Sequence, residues 1–393
     1  MLEKKTKDLR VIIAIHEENP VGPGFVFKDF LQEASISDLF FISHPLLYFK
    51  DSYQKSSRFE HFKNGKLINK VFAFHWKLPR PLLFVKDLLY TVIWCFRLEG
   101  TYDVFFGIDP LNAAVGWLLK KMGKVRSVVY YNIDFTPRRF ENSLMNYLYH
   151  KVDAFACNNV DYNWIGTDRT TKARVESGMN ASKMAKTVIV PDGNESERIH
   201  GMKTKKIEMQ RIVYLGHLDK KQGIDLVLDA LPKLQESIKD IKFMLIGKGD
   251  YEADLKKKVK DMQLDCVEFM GFIADERKIE TLLMSSAVAV APYVPDKNSF
   301  TYYSEAGKPK YYLGCGLPVV ITNVPAIAYT IDEQKAGIMI PYDRGEFVRA
   351  VKTILAKEKY VMYRKNATAL GLEFDSRTIF KKALKETGVT INV

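Results

Sequence analysis

Apolar positions follow two periods along most of the chain. Short runs of β-branched and aromatic residues are separated by stretches whose apolar residues return every three or four positions. This is the pattern of strands laid between helices in a parallel sheet. In the first half the pattern predicts strands at Leu9–Ile15, Asp38–Ile42, Val71–Phe74, Asp103–Gly107, Val125–Ile133, Ala154–Cys157 and Thr187–Val190. Helical periods fall at 25–33, 81–98, 112–122 and 141–151. The segment 194–210, NESERIHGMKTKKIEMQ, is polar without an apolar period and reads as a linker.

Beyond it the alternation restarts. Strands are predicted at Arg211–Leu215, Ile241–Ile246, Val267–Met270, Val288–Ala291 and Pro318–Ile321, with helices near 224–235, 251–262, 277–285, 309–313 and 345–356. The last stretch, 361–387, reads as helical and basic. The expected organisation is a first α/β domain over 1–200, a second over 201–360 and a helical segment over 361–393. No short tandem repeat is visible, so the repetition is architectural. Ligands of open parallel sheets bind beyond the carboxyl ends of the strands, so two such domains predict a site in the cleft between them.

Composition narrows the class. The chain has 393 residues, 47% apolar and 27% charged, which is ordinary for a globular protein. The four cysteines, at 95, 157, 266 and 315, form no C-x-x-C pair, so neither a disulfide framework nor a sequence-local metal site is expected. The apolar run Val11–Ile15 is too short for a signal peptide, and Leu88–Phe96 is far short of the roughly 20 residues of a membrane span. A cytoplasmic protein is the expectation. The net charge of +12 is shared by both halves, but residues 51–130 carry 13 Lys and Arg against 6 Asp and Glu, mixed with aromatics. Basic charge among aromatics suits an anionic membrane surface, a nucleic acid or an anionic substrate, and equally a solvated face over an ordinary core. No nucleic-acid partner is expected.

Three stretches carry candidate chemistry. In Tyr214-Leu215-Gly216-His217-Leu218-Asp219-Lys220-Lys221-Gln222-Gly223-Ile224-Asp225 a strand enters a glycine turn, two lysines follow and a helix opens. Backbone N–H groups at such a helix start, with Lys221 and His217 near, suit a phosphate or pyrophosphate; the lysines read equally as solvated loop residues. In Leu245-Ile246-Gly247-Lys248-Gly249-Asp250 the third glycine of G-x-G-x-x-G is missing, as is the Lys-Ser/Thr ending of a P-loop. Neither a dinucleotide nor an ATP fingerprint is present. The third stretch runs from Ala291-Pro292-Tyr293 through a loop with Glu305, Lys308 and Lys310 to Gly316-Leu317-Pro318-Val319-Val320. A carboxylate for sugar hydroxyls beside lysines for phosphates fits a sugar nucleotide; without its flanking pattern the stretch reads as a surface loop with scattered charges.

In this order and spacing the three stretches, with Val267 to Phe272, resemble the C-terminal domain of the retaining family 4 glycosyltransferases, over about residues 211–356. That family has the GT-B fold, two doubly wound Rossmann-like domains facing a central cleft. The resemblance implies donor-binding roles for Gly216, His217, Lys221, Gly247, Gly249, Phe272, Tyr293, Lys308 and Lys310, and a nucleotide sugar, UDP- or GDP-linked, as substrate with no cofactor. Pro191-Asp192-Gly193-Asn194 is similar to the family's P-N-G turn, with Asp192 in place of Asn. His217 stands where the family often has Arg, and Gln222 where it has Lys. Tyr303 and Tyr311 stand where it has paired glutamates, with Glu305 available for the first and nothing acidic for the second.

In the first domain Pro20-Val21-Gly22-Pro23-Gly24 lies between the first strand and first helix, where GT-B enzymes place a glycine loop; Gly22 and Gly24 are donor candidates, or part of an ordinary turn. His16, Arg138 and Arg139 are acceptor-binding candidates, the two arginines reading equally as solvated residues. Asp134 follows Ile133, which replaces a His common in relatives. Asp134 suits a general base for an acceptor hydroxyl, and equally a turn cap. No D-x-D pair occurs to hold a metal ion, so lysines and helix N-termini would balance the leaving diphosphate. The expected function is transfer of one sugar to a glycan or lipid-linked acceptor in cell-surface polysaccharide or glycoconjugate synthesis. The alternatives are an inactive glycosyltransferase-like binding partner and a sugar-nucleotide epimerase or polymerase of the same fold.

Overall fold

The computed structural model describes residues 8–16, 22–46, 55–133, 135, 137–140, 142–202, 206–296 and 306–391. The chain divides into two compact units, residues 1–191 with 379–393, and residues 192–378.

The first unit is built on an eight-stranded sheet. Its strands are β1 (Arg10–His16), β2 (Asp38–His44), β3 (Arg58–Lys63), β4 (Lys66–Phe72), β5 (Tyr102–Ile108), β6 (Val125–Asn132), β7 (Tyr162–Ile165) and β8 (Lys186–Ile189). Their spatial order is β4-β3-β2-β1-β5-β6-β7-β8. Six strands are parallel, and β3 and β4 add an antiparallel hairpin at one edge. β1, β2 and β5 are apolar on both faces and almost wholly buried, as strands covered by helices on both sides must be. The helices are α1 (Pro23–Glu33), α2 (Arg80–Phe96), α3 (Pro110–Lys121), α4 (Ser143–Asn159) and α5 (Asp168–Glu176).

The second unit has a six-stranded, all-parallel sheet of β9 (Glu208–Leu215), β10 (Lys242–Ile246), β11 (Val267–Gly271), β12 (Ser286–Ala291), β13 (Val319–Thr322) and β14 (Gly337–Ile340). Their order, β11-β10-β9-β12-β13-β14, is the doubly wound arrangement 3-2-1-4-5-6. Its helices are α6 (Ser196–His200), α7 (Ile224–Gln235), α8 (Glu252–Asp261), α9 (Glu276–Met284), α10 (Gly307–Gly314), α11 (Ile327–Glu333), α12 (Arg344–Leu355) and α13 (Lys357–Glu373), and α14 (Ser376–Glu386) begins in this unit and ends in the first. Apolar clusters fill both faces of the sheet, one under α7 and α12, the other under α10 and α11.

Several elements depart from the sequence expectation. Ala154–Cys157 belongs to α4 and not to a strand. The run is too short to separate the two periods, and Asn142 starts the helix by accepting from Met145 N. The strand there is β7, with Trp164 fully buried. The segment 194–210 is not a free linker. Asn194 is buried and donates from Nδ2 to the carbonyls of Lys310 at 2.9 Å and Gly371 at 3.0 Å, while its Oδ1 accepts from Ser196 N at 2.9 Å. The boundary therefore falls at 191/192, before this anchor, and not at 200. The segment 361–393 is likewise divided. Phe380 packs on Phe27 with ring centroids 4.9 Å apart, which places the end of α14 with the first unit.

Candidate functional site

In an open parallel sheet the crevice lies where the strand order reverses, outside the carboxyl ends of the strands. In the second unit that point is between β9 and β12, and in the first between β1 and β5.

β9 leaves its sheet through Gly216, whose φ of 144° suits only glycine. A Cβ at Gly247, after β10, would lie 1.9 Å from the Gly216 carbonyl oxygen, and one at Gly249 would lie 2.2 Å from that of Leu218. The two glycine turns thus pack backbone on backbone. Asp219 accepts from Lys221 N at 2.8 Å and holds a single tight turn over Lys220–Gln222. Gly223 then opens α7 at φ 72°, where a Cβ would stand 1.8 Å from the Pro292 carbonyl oxygen, after β12.

Lys308, in the first turn of α10, reaches into this junction. Its side chain lies against Gly216, and its Nζ donates to the Tyr214 hydroxyl at 3.0 Å and to Oε1 of Gln222. The rings of Tyr214 and Tyr293 flank the ammonium at 4.9 and 5.3 Å. Burial pushes Lys308 down to about 7, against a weaker upward pull from Asp219. A cation lodged among tyrosines and glycine turns is a site that an incoming anion would recharge.

The other residues expected around a donor are spread. His217 and Lys221 are exposed on the same loop. Phe272, after β11, is 65% exposed with Lys248 Nζ 5.3 Å from its ring centroid. Tyr293 is buried, and its carbonyl accepts from Thr322 Oγ1 at 2.7 Å. Lys310 is not beside Lys308: it is fully buried with its Nζ 5.0 Å from the Phe374 ring centroid, and burial pushes it down to about 7 against the pull of Asp192. The Tyr311 hydroxyl donates to Oε1 of Glu280 at 3.4 Å. An acid does therefore approach position 311, but Glu280 is buried and held by Arg198, with Nη1 to Oε2 at 3.0 Å. Glu305 lies outside the described residues. Sequence reasoning missed Tyr214 and Gln222 as the seat of Lys308, although both lie in the first motif.

In the first unit the reversal point holds a network that spacing alone does not show. His16 ends β1, and Asp109 follows β5 and caps α3 by accepting from Asn112 N at 2.8 Å. Asp109 Oδ2 takes the His16 backbone N–H at 3.2 Å and its ring Nδ1 at 2.9 Å. His16 Nε2 faces Asp87 Oδ2 of α2 at 3.5 Å. Asp87 accepts from Ser57 Oγ at 2.6 Å, and His44 is hydrogen-bonded to Ser57 at 3.0 Å and Thr91 at 2.8 Å. Burial opposes charge on His16, but Asp109 and Asp87 outweigh it and raise the imidazole to about 9. Burial and the neighbouring His16 hold His44 down at about 4 despite Asp87. The pair is one imidazolium and one neutral ring, 4.9 Å apart.

Gly22 is the N-cap of α1 at φ −72°, a conformation open to any residue, and Gly24 is buried in the first turn. Arg138 is exposed. Arg139 lies 5.3 Å over the Tyr149 ring, and its backbone N–H donates to Asn146 Oδ1 at 2.8 Å. Asp134 lies outside the described residues. Among the described residues no group of three or more His, Cys, Asp or Glu is placed to hold a metal ion.

Residues 209–357 match the family model described as glycosyl transferases group 1. This part of the second unit is a group 1 glycosyltransferase domain. The glycosyltransferase domain contains both glycine turns, Gln222 and Lys308. The chain is 26% identical over 261 residues to a phosphatidyl-myo-inositol mannosyltransferase of Mycolicibacterium smegmatis, covering 64% of this chain and 61% of that one. It is 27% identical over 146 residues to a GDP-mannose-dependent alpha-(1-6)-phosphatidylinositol dimannoside mannosyltransferase of Mycobacterium tuberculosis, covering 37% and 35%. The chain thus spans between about a third and three fifths of the length of the curated relatives it matches. Among solved structures, Anabaena Alr3699/HepE in complex with UDP aligns with a TM-score of 0.69 at 15% identity over 97% of this chain and all of that one. Sucrose-phosphate synthase from Thermosynechococcus elongatus aligns at 0.66 and 15% over 97% and 98%. At these identities the likeness establishes fold: the two parallel-sheet units are those of GT-B glycosyltransferases.

Proposed function

We propose that the chain transfers a single sugar from a UDP- or GDP-sugar, bound by the second unit, to a lipid-linked or glycan acceptor received by the first. The observation that carries this reading is the seating of Lys308 on the Gly216 turn, beside the start of α7. A cation, glycine-lined backbone and a helix N-terminus form a set that neutralises a leaving diphosphate. The relatives named for GDP-mannose and phosphatidylinositol acceptors support the lipid-linked choice. In this reading the acceptor meets the first unit at His16, with Arg138 and Arg139 toward an anionic group, close to a membrane surface.

Asp134 is the proposed general base, so Asp134→Asn lowers kcat about 10²- to 10⁴-fold and leaves nucleotide affinity unchanged. The deciding experiment is a thermal-shift screen of UDP, GDP and their sugars, followed by product analysis with a phosphatidylinositol acceptor. A ligand at 100 times its Kd adds about 2.7 kcal/mol, a readable shift. If no nucleotide stabilises the chain, the donor site is refuted. One observation favours a second reading. Tyr311 stands where the family that the sequence resembles has a glutamate, and the acid it is hydrogen-bonded to, Glu280, is committed to Arg198. Nucleotide binding without turnover across donors and acceptors selects an inactive glycosyltransferase-like binding partner instead.

A further inference from the structure

We propose that the outer face of α2, with the loop before it, is a docking surface for an anionic phospholipid bilayer. This deepens the lipid-linked acceptor reading and rests on it only for its purpose, because the surface is argued from its own residues. α2 exposes Leu82, Val85, Leu89, Ile93 and Phe96, at 51, 52, 57, 46 and 41%. Their spacing of three and four residues places them on one stripe. The opposite side carries Asp87, Thr91, Trp94 and Cys95, all buried. The stripe is thus a second apolar face on a helix that has already packed its first.

The chain entering α2 continues the surface. Phe74 is 71% exposed and Trp76 45%, their rings 5.4 Å apart, and Trp76 Nε1 donates to the Tyr90 hydroxyl of α2 at 3.1 Å. The loop is tied to the helix, and its aromatics extend the stripe. Trp beside apolar side chains at a water boundary is the composition of an interfacial anchor.

Charge identifies the occupant. Residues 63–98 contain seven Lys and Arg against one acid, and that acid, Asp87, is buried on the inner face. Lys63, Lys66, Lys70, Lys77 and Arg97 are exposed. The cavity of about 450 Å³ between α2 and the β3–β4 hairpin is mixed in charge, with Asp38 and Glu99 on its lining beside Arg10, Lys63 and Arg97, so the basic rim is that of the exposed lysines and Arg97 and not of the cavity. A partner protein with an apolar face has no need of so one-sided a rim, whereas an anionic bilayer presents both features at once. Among the described residues no helix is long and apolar enough to cross a membrane, so the contact is one of lying on the surface.

The inner side of the same helix places Asp87 at His16 and Thr91 at His44. A helix with its side chains is about 10–12 Å across. A bilayer on the stripe therefore stands one helix diameter from His16, within reach of the head group of an acceptor anchored in it.

The test is cosedimentation of the full chain with vesicles of phosphatidylcholine alone or with a quarter of phosphatidylglycerol. Binding is expected to the anionic vesicles, weakened by added salt. Val85→Glu with Leu89→Glu should lower the partition coefficient about tenfold or more, while Leu148→Glu, on the exposed side of α4, should leave it unchanged. UDP- or GDP-induced thermal stabilisation of each variant reports folding without using the membrane. Turnover of a short-chain, water-soluble acceptor reports the glycosyl-transfer reading separately. Equal binding to both vesicle types, unchanged binding by the double variant, or a concentration-dependent dimer abolished by it with no vesicle binding would each overturn the proposal.

Discussion

Lys308 donates from Nζ to the Tyr214 hydroxyl at 3.0 Å, and the Tyr214 hydroxyl in turn donates to the His217 carbonyl at 2.9 Å. One side chain from the start of α10 is thereby fixed to the turn that leaves β9. Gln222 closes the triangle, so the ammonium stands beside the position at which related sequences carry a lysine. Lys308→Ala is expected to weaken UDP or GDP binding about 10- to 100-fold, the value of a hydrogen bond to a charged group. Exposed Lys221 should cost less than about threefold as Lys221→Ala. Isothermal titration of both variants checks the ranking, and equal losses would remove the special place of Lys308.

The same geometry sets a pH dependence. With Lys308 held at about 7 by burial, the empty site is increasingly neutral above that pH. A diphosphate favours the charged form, so binding above pH 7 must take up a proton and affinity must fall as pH rises. The expected slope approaches tenfold per pH unit between about 8 and 9. Calorimetry in buffers of different ionisation enthalpy measures the uptake. Lys308→Met should bind weakly with no slope, and an unchanged slope would place the titrating group elsewhere.

The first unit has its own pH window. His16 is raised from 6.5 to about 9, so its contribution to stability is full below pH 6.5 and is lost as pH rises through 9. His44 is lowered to about 4 and stays neutral when folded; the unfolded chain gains a proton below 6.5, and stability declines as pH falls from there to 4. Asp87 and Asp109 are lowered by their histidine partners, and their contribution is lost further into acid. The Tm of the first unit should therefore peak near pH 6.5 and fall on both sides. His16→Leu removes the alkaline limb and leaves part-buried Asp109 without its cation, while Asp87 keeps Lys86 at 2.6 Å, a loss of about 3 kcal/mol at neutral pH. A surviving alkaline limb in that variant would show that another group drives it.

How much of this was legible varies by element. The helix 224–235 and the strands β9 to β13 follow from long apolar runs bounded by turn residues, where period and length agree. Of the hairpin only the end of β4 was read, as Val71–Phe74, because Arg58–Lys63 mixes charge with aromatics and Glu60 is buried among Lys70 at 2.8 Å, Arg58 at 3.8 Å and Lys28 at 3.9 Å. Its signal was nonetheless present: Asn64-Gly65 joins the two strands with positive φ at both residues, 49° and 75°. Lys308 was readable from its motif, while Lys310, two residues on, points to the opposite side of a short helix and is lost to the core. The pairing of His16 with Asp109 spans 93 residues. It exists because β1 and β5 are neighbours, which a sequence pattern does not reveal.

Two glycines of similar conformation should behave differently, and this separates close packing from backbone strain. Gly223 at φ 72° and Gly271 at φ 67° both occupy the left-handed region, where a side chain costs about 1–2 kcal/mol. At Gly271 a Cβ would meet nothing within 4 Å, so Gly271→Ala carries that strain alone. In a unit of this size it lowers Tm by several degrees and leaves nucleotide affinity intact. At Gly223 the added carbon would stand 1.8 Å from the Pro292 carbonyl oxygen and 2.9 Å from the ring of Tyr342. The loop bearing Gln222 must then move away from the end of β12, taking the Lys308 seat with it. Gly223→Ala should lose more stability than Gly271→Ala and, in whatever fraction remains folded, most of its affinity for UDP or GDP. Thermal unfolding together with nucleotide titration of the two variants decides the point. If Gly223→Ala matched Gly271→Ala in both measurements, the contact between these loops would not be what holds the lysine in place.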